Sequence, residues 1–350
     1  MPRQRLVRGP LGLRCAEVNV GAWCSQSRVW IVAGKGGVGK TTIAATLAAA
    51  GANAGLSVLV VELEGKRGLG AMFGRPSPVS YEAVSLRGTA PDENGTRRGP
   101  AKGEIWARRL TPDDALLEYL ADHGLHRISK RLVSSGVVDV VATAIPGIRD
   151  VLVLGKVKQL ERSGVADMIV LDAPATGHAM TFLTSASGLL DAARGGPVRQ
   201  QAADVVELLQ DPERCRVLPV TLPEEMPVSE TVESAFLLED RVGIHLGPVV
   251  VNGYEGGPAA LETTAVDAAT AAGVTLDEPT RAALDDAREF RLHRLALVDE
   301  QVSRLEHDLP LPQLRVPRLF TPAIGPEQLF ELSAALAKAV EALPAEAPAR

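Results

Sequence analysis

Cysteine is scarce in this chain, and its spacing excludes more than its number does. Of 350 residues only Cys15, Cys24 and Cys215 are cysteine, far apart and without a Cys-x-x-Cys pair. Neither a zinc ribbon nor a redox dithiol can be drawn from them. Long apolar runs are missing as well, since nothing approaches the ~18–20 residues that a membrane-spanning helix needs. A basic excess is also absent. The formal net charge is −6, with acidic residues spread along the chain, whereas a nucleic-acid binder more often presents a clustered basic face. Arg3, Arg5, Arg8, Arg14 and Arg28 are followed by no continuous apolar stretch and no small-residue cleavage site, which argues against a secretory signal. Residues 1–27 therefore read as a disordered extension or a start placed too far upstream, and the chain reads as cytoplasmic. No internal repeat is visible, which excludes two fused copies of one domain.

What is present is ordinary globular material: 46% apolar and 23% charged residues, enough to fill a core at this length. From residue 29 short β-branched runs alternate with helical patterns, the signature of an α/β fold with a mostly parallel sheet. Strands are expected at Val29–Ala33, Ser57–Leu63, Ile105–Leu110, Asp167–Leu171, Arg216–Leu222, Pro248–Asn252 and Leu314–Phe320. Helices are expected at Lys40–Asn53, Pro112–Gly124, Pro146–Ser163, near His178–Arg194, Val198–Gln210, Val228–Arg241, Thr280 to about Asp308, and Pro326–Leu343. A further helical stretch is expected between the second and third of these. In the long helix Leu284, Ala287, Phe290, Leu292, Leu295, Val298 and Val302 recur at helical spacing. Arg87–Gly103, rich in Gly, Pro, Arg and Asn, reads as a loop. One domain is expected over residues 28–343, with helical insertions near 111–163 and 178–210 and a frayed tail at 344–350.

Between the first strand and the first long helix lies Gly34-Lys35-Gly36-Gly37-Val38-Gly39-Lys40-Thr41. It satisfies the G-x-x-x-x-G-K-[ST] pattern in the strand–loop–helix context that the pattern requires. The loop must turn its backbone N–H groups inward as an anion nest, and a Cβ at Gly36, Gly37 or Gly39 would obstruct that turn or the approach of a phosphate. The helix starting at Lys40 adds its positive dipole end. Lys40 is placed to contact β- and γ-phosphates, and the Thr41 hydroxyl to hold Mg²⁺. The fold class is therefore a P-loop NTPase, a three-layer α/β/α arrangement with helical insertions, using ATP/ADP and Mg²⁺. Lys35 is additional to that requirement. A cation there cannot easily reach a phosphate wrapped by its own loop, but it can point towards a nucleotide held by a facing subunit, as an arginine finger does in trans.

With Lys35, the segment Gly34–Thr42 resembles the deviant Walker A motif of the signature-lysine ATPases. Val170–Leu183, with Asp172, Thr176, Gly177, His178 and Leu183 in register, resembles the D-T-A-P-T-G-H-T-L-R-x-L segment of the branch that contains the arsenite-pump ATPase and the tail-anchored-protein chaperones. Pro146–Asp150 is similar to that branch's P-G-I-D-E segment, and Phe73-Gly74 falls at the end of its switch I. The likeness covers roughly residues 28–343 and is closest to the zinc-free ArsA-like proteins of actinobacteria. It implies a dimer, homomeric or with a paralogous ATPase, in which each Lys35 reaches the partner's nucleotide. It also implies that Asp172 holds Mg²⁺ through water, that Thr176–His178 begin switch II, that Asn252 reads the adenine edge, and that Pro317–Thr321 line the base pocket. Each residue also has a plainer reading. Asp172 could cap a helix, His178 could pack beneath one, and Asn252 could form a turn.

The departures from that pattern matter for rate and cargo. The family's switch I aspartate, which positions the attacking water, is replaced by Glu64 in Glu64-Gly65-Lys66-Arg67-Gly68. Glutamate is one methylene longer, and a misplacement of about an ångström can cost ~10²-fold in rate. Lys66 and Arg67 read as solvated. Soft metalloid capture needs clustered thiolates, and only Cys215 lies inside the expected domain. The expectation is slow ATP hydrolysis that drives a switch-loop cycle and gates a protein cargo, with membrane contact only through a partner, no nucleic acid and no zinc. The alternative is a nucleotide-dependent scaffold with negligible hydrolysis that works with a paralogous subunit. The leucines of the insertions, Leu116, Leu117, Leu120, Leu152, Leu154, Leu160, Leu189 and Leu190, read as core rather than cargo surface.

Overall fold

The computed structural model describes residues 18–63, 68–76, 79–89, 99–122, 147–257 and 259–344. Among them the strands are β1 (Val29–Gly34), β2 (Val58–Leu63), β3 (Val84–Arg87), β4 (Ile105–Leu110), β5 (Met168–Ala175), β6 (Cys215–Thr221), β7 (Val249–Tyr254) and β8 (Gln313–Pro317). They form one sheet in the order β3-β4-β2-β5-β1-β6-β7-β8. Only β3 runs antiparallel to its neighbour. The β-branched runs of β1 and β2 are apolar on both faces because helices cover both.

On one face α2 (Lys40–Asn53) lies between the sheet and α11 (Pro326–Glu341). Helix α2 is alanine-rich because it is buried nearly all round, and small side chains let its backbone come close to the strands. A Cβ at Gly51 would meet Met168 Cε at 2.6 Å. Its bulkier members Ile43 and Leu47 are fully buried, each contributing about 2 kcal/mol by removal from water. The opposite face is covered by α5 (Ile148–Arg162), α6 (Thr176–Ala192), α7 (Gly196–Gln210) and α8 (Glu225–Val242). There Leu152, Leu154, Leu160 and Leu189 are core residues, as their spacing suggests.

Several boundaries differ from the sequence reading. The last residues of the extension expected over 1–27 are instead part of the fold, as α1 (Val20–Cys24), while residues 1–17 lie outside the described residues. Trp23 stacks on Trp30 with ring centroids 4.7 Å apart, and Trp30 Nε1 donates to Cys24 O at 2.9 Å. Strand β3 precedes the expected loop and was not foreseen; four residues with one buried position carry little periodicity. Helix α4 (Pro112–Asp122) is where it was expected, and the helical stretch expected after it lies outside the described residues. Two further helices, α3 (Leu69–Met72) and α9 (Ala265–Ala272), are also present. In the long α10 (Glu278–Asp308), Leu284, Phe290 and Leu292 are exposed, and burial begins only at Leu295. Its second half packs Val298, Val302 and Leu305 against Val228 and Ala235 of α8. Strand β8 stops at Pro317, which leaves Phe320 76% exposed rather than in the sheet. Among the described residues no helix is long and apolar enough to cross a membrane.

Candidate nucleotide site

Strand β1 sits centrally, with β5 on one side and β6 on the other. The chain leaves it through α2 towards β2, while β6 and later strands build outwards in the opposite direction. Such a reversal opens a crevice at the carboxyl ends of the strands, where open α/β sheets bind ligands. The glycine loop, residues 34–39, lies there.

Backbone geometry explains most of its glycines. A Cβ on Gly34 would stand 2.2 Å from Val220 O of β6, so only glycine lets β1 end against that strand. Gly37 and Gly39 have φ of +90° and +88°, the left-handed region that side chains rarely adopt. Among the described residues nothing beyond its chain neighbours lies within 4 Å of a Cβ built on Gly37, so that side of the loop is open space. Gly36 does not share the positive φ, which leaves the approach of a phosphate, rather than the turn, as the reason for a glycine there. Asn252 Nδ2, at the end of β7, donates to Val38 O at 2.8 Å, and a Cβ on Gly39 would come within 2.3 Å of that nitrogen. Asn252 thus braces the loop, a task beyond the turn-former and base-contact readings. Val38 is buried beneath it.

The charged members gather around this loop. Lys40 is buried, and its Nζ donates to Lys35 O at 2.8 Å, so the ammonium lies along the loop. Thr41 Oγ1 donates to Asp172 Oδ2 at 2.6 Å, and Asp172 is fully buried in β5. A hydroxyl and a carboxylate in contact beside an anion-binding loop form a hard-oxygen pair of the kind that suits Mg²⁺. The residues therefore fit the metal: Thr41 would hold it directly and Asp172 through water. Lys35 takes a different course. Its Nζ pairs with Glu230 Oε1 of α8, and both side chains are 32% exposed. Such a half-solvated pair contributes about 0–1 kcal/mol. Thr42, the last residue of the motif, lies in the first turn of α2, and its carbonyl accepts from Thr46 Oγ1 at 2.8 Å.

Asn252 and Pro317 are brought together at the ends of adjacent strands, where Pro317 pairs with Tyr254. Beside them Leu222, Pro223, Gly253 and Arg318 help line a cleft of about 240 Å³. Glu255 spans it, with its carboxylate 2.7 Å from Arg291 and 3.1 Å from Arg318. Glu64, Lys66 and Arg67 lie outside the described residues, as does Pro146. Thr176–His178 form the first turn of α6, directly after β5. The two cysteines among the described residues stay away from the site. Cys24 and Cys215 are buried free thiols, and desolvation pushes each up to about 12, so neither is a thiolate ligand at neutral pH.

Three residues escaped the sequence reading. Glu230 and Glu255 carried no local signal, since each meets its cation only through tertiary packing. Glu62 did carry one, as a single carboxylate inside the otherwise apolar strand β2.

Residues 27–192 match the family model described as anion-transporting ATPase. Over 335 residues the chain is 35% identical to the ATPase BagA of Mycobacterium tuberculosis, an alignment covering 90% of this chain and 94% of that protein. It is 27% identical over 222 residues to the arsenical pump-driving ATPase of Escherichia coli, covering 63% of this chain and 33% of that larger protein.

Proposed function

The chain belongs to the ArsA-like ATPases, and from that premise we propose that it binds ATP with Mg²⁺ as a dimer, hydrolyses it slowly, and uses switch-loop movement to engage and release a protein partner. The observation that carries this reading is the Thr41–Asp172 contact beside the glycine cradle, with Lys40 lying along the same loop. Phosphate binding by amides and Lys40 would neutralise the triphosphate, and Mg²⁺ would stabilise charge developing on the β- and γ-oxygens. In this reading the base would sit beside Asn252 and the cleft next to Pro317.

Lys35 supports the dimer. Its weak pairing with Glu230 leaves it available at the rim of the loop rather than inside it. In the two-subunit reading it exchanges Glu230 for the phosphates across the interface. A thiol-based arsenite route is disfavoured by the burial and separation of Cys24 and Cys215.

Phosphate release from the purified protein with Mg²⁺ and ATP, alone and mixed with a paralogous ATPase, tests the catalytic part. Slow release by the chain alone is expected, and Glu64→Gln is expected to lower it by about 10²-fold, the scale of one water-activating carboxylate. Turnover unchanged in Glu64→Gln would remove Glu64 from the mechanism. Release seen only in the mixture would favour the scaffold alternative.

A further inference from the structure

Position 62 lies in the middle of a buried row that crosses the sheet beside the glycine loop. In β2, Glu62 is in register with Arg109 of β4 on one side and with Asp172 of β5 on the other. Val58, Val60 and Glu62 alternate onto the face covered by α2, as do Met168, Val170 and Asp172. Residues in register on adjacent strands are about 4.8 Å apart. Two carboxylates, Glu62 and Asp172, are thus neighbours on one face, and both are 0% exposed. Arg109 Nη2 approaches Glu62 Oε2 at 4.0 Å on the side away from Asp172.

Two like charges side by side in a low-dielectric interior are costly. The cost falls when a divalent cation sits against them, and Asp172 already touches the hydroxyl that would ligate one. We infer that Glu62 is a positioning residue for the metal, accepting hydrogen bonds from water bound to Mg²⁺ so that Glu62 and Asp172 together fix its hydration shell. Arg109 steadies Glu62 from behind. The inference rests on the proposed ATP–Mg²⁺ site and extends it one strand outward, to a residue that the resemblance does not assign. Outer partners of this kind typically tune metal affinity by about 10–100-fold.

The test is Mn²⁺ affinity in the presence of ADP, read by electron paramagnetic resonance, together with ADP affinity in EDTA and the melting temperature without metal. Glu62→Gln is expected to weaken Mn²⁺ at least about tenfold, to leave ADP affinity in EDTA unchanged, and to leave the metal-free melting temperature equal or higher. A purely structural role would instead lower that melting temperature and spare the metal; this result, or an unchanged Mn²⁺ affinity, overturns the inference. Should the glutamine variant not fold, Glu62→Asp decides, because it draws the carboxylate back by one methylene. Weaker Mn²⁺ binding with intact ADP binding is then expected, and an affinity equal to the parent's overturns the inference. Absence of Mn²⁺–ADP binding in the parent protein would instead strike the proposed function itself, so the two failures are distinguishable.

Discussion

Replacing Lys40 with alanine is expected to lower ATP hydrolysis by about 10³-fold, the cost of deleting one preorganised charge stabiliser. ADP and ATP affinity should fall with it, while the melting temperature stays within a few degrees. The separation of these effects follows from the geometry. Lys40 opens α2 and its Nζ donates to Lys35 O, so its removal loses that hydrogen bond at the loop. Alanine is itself a good helix former at that position. What is lost is a buried ammonium held where β- and γ-phosphates would lie. Parallel measurement of phosphate release, nucleotide affinity and thermal unfolding checks all three. A variant that unfolds early would show Lys40 to be structural, and one that turns over normally would show the phosphates to lie elsewhere.

Lys35→Ala is expected to produce a comparable loss of turnover, about 10³-fold, but with nucleotide affinity nearly unchanged. A cation delivered in trans stabilises charge that develops in the transition state and contributes little to the ground state. The Glu230 pair is weak enough that its loss should not disturb folding. Mixing Lys35→Ala with Lys40→Ala then gives a distinctive outcome. In the mixed two-fold dimer, one site combines the intact loop of the first variant with the intact Lys35 of the second. Random exchange of subunits would restore about a quarter of parental activity. If Lys35 acted within its own chain, the mixture would stay as inactive as its components.

How far the sequence foretold this arrangement depends on where the physical requirement is local. The β1–loop–α2 unit was legible because its constraints are written residue by residue: a close approach at Gly34, left-handed turns at Gly37 and Gly39, and a lysine and a hydroxyl in fixed order. The central strands were legible because burial on both faces demands uninterrupted β-branched runs. Helix α1 was not, because five residues have no periodicity to display and are held by Trp23 against Trp30, a contact made only after folding. The first half of α10 misled in the opposite sense. Leu284, Phe290 and Leu292 repeat at helical spacing, yet all three are exposed, since period alone does not say which face is covered. Asn252 was singled out for another task, and its grip on Val38 O depends on β7 passing beside the loop. Glu62 was passed over as part of an apolar strand, although a charge inside a doubly covered strand is expensive enough to ask for a partner.

The central claim is that the inward-turned loop, Lys40, Thr41 and Asp172 form one working magnesium–nucleotide site. Calorimetric titration of the folded protein with ATP, with Mg²⁺ and again in EDTA, addresses it most directly. The account predicts a saturable heat with one nucleotide per chain, tighter with the metal and much diminished in Lys40→Ala. A properly folded protein that gives no heat of association under either condition would contradict it.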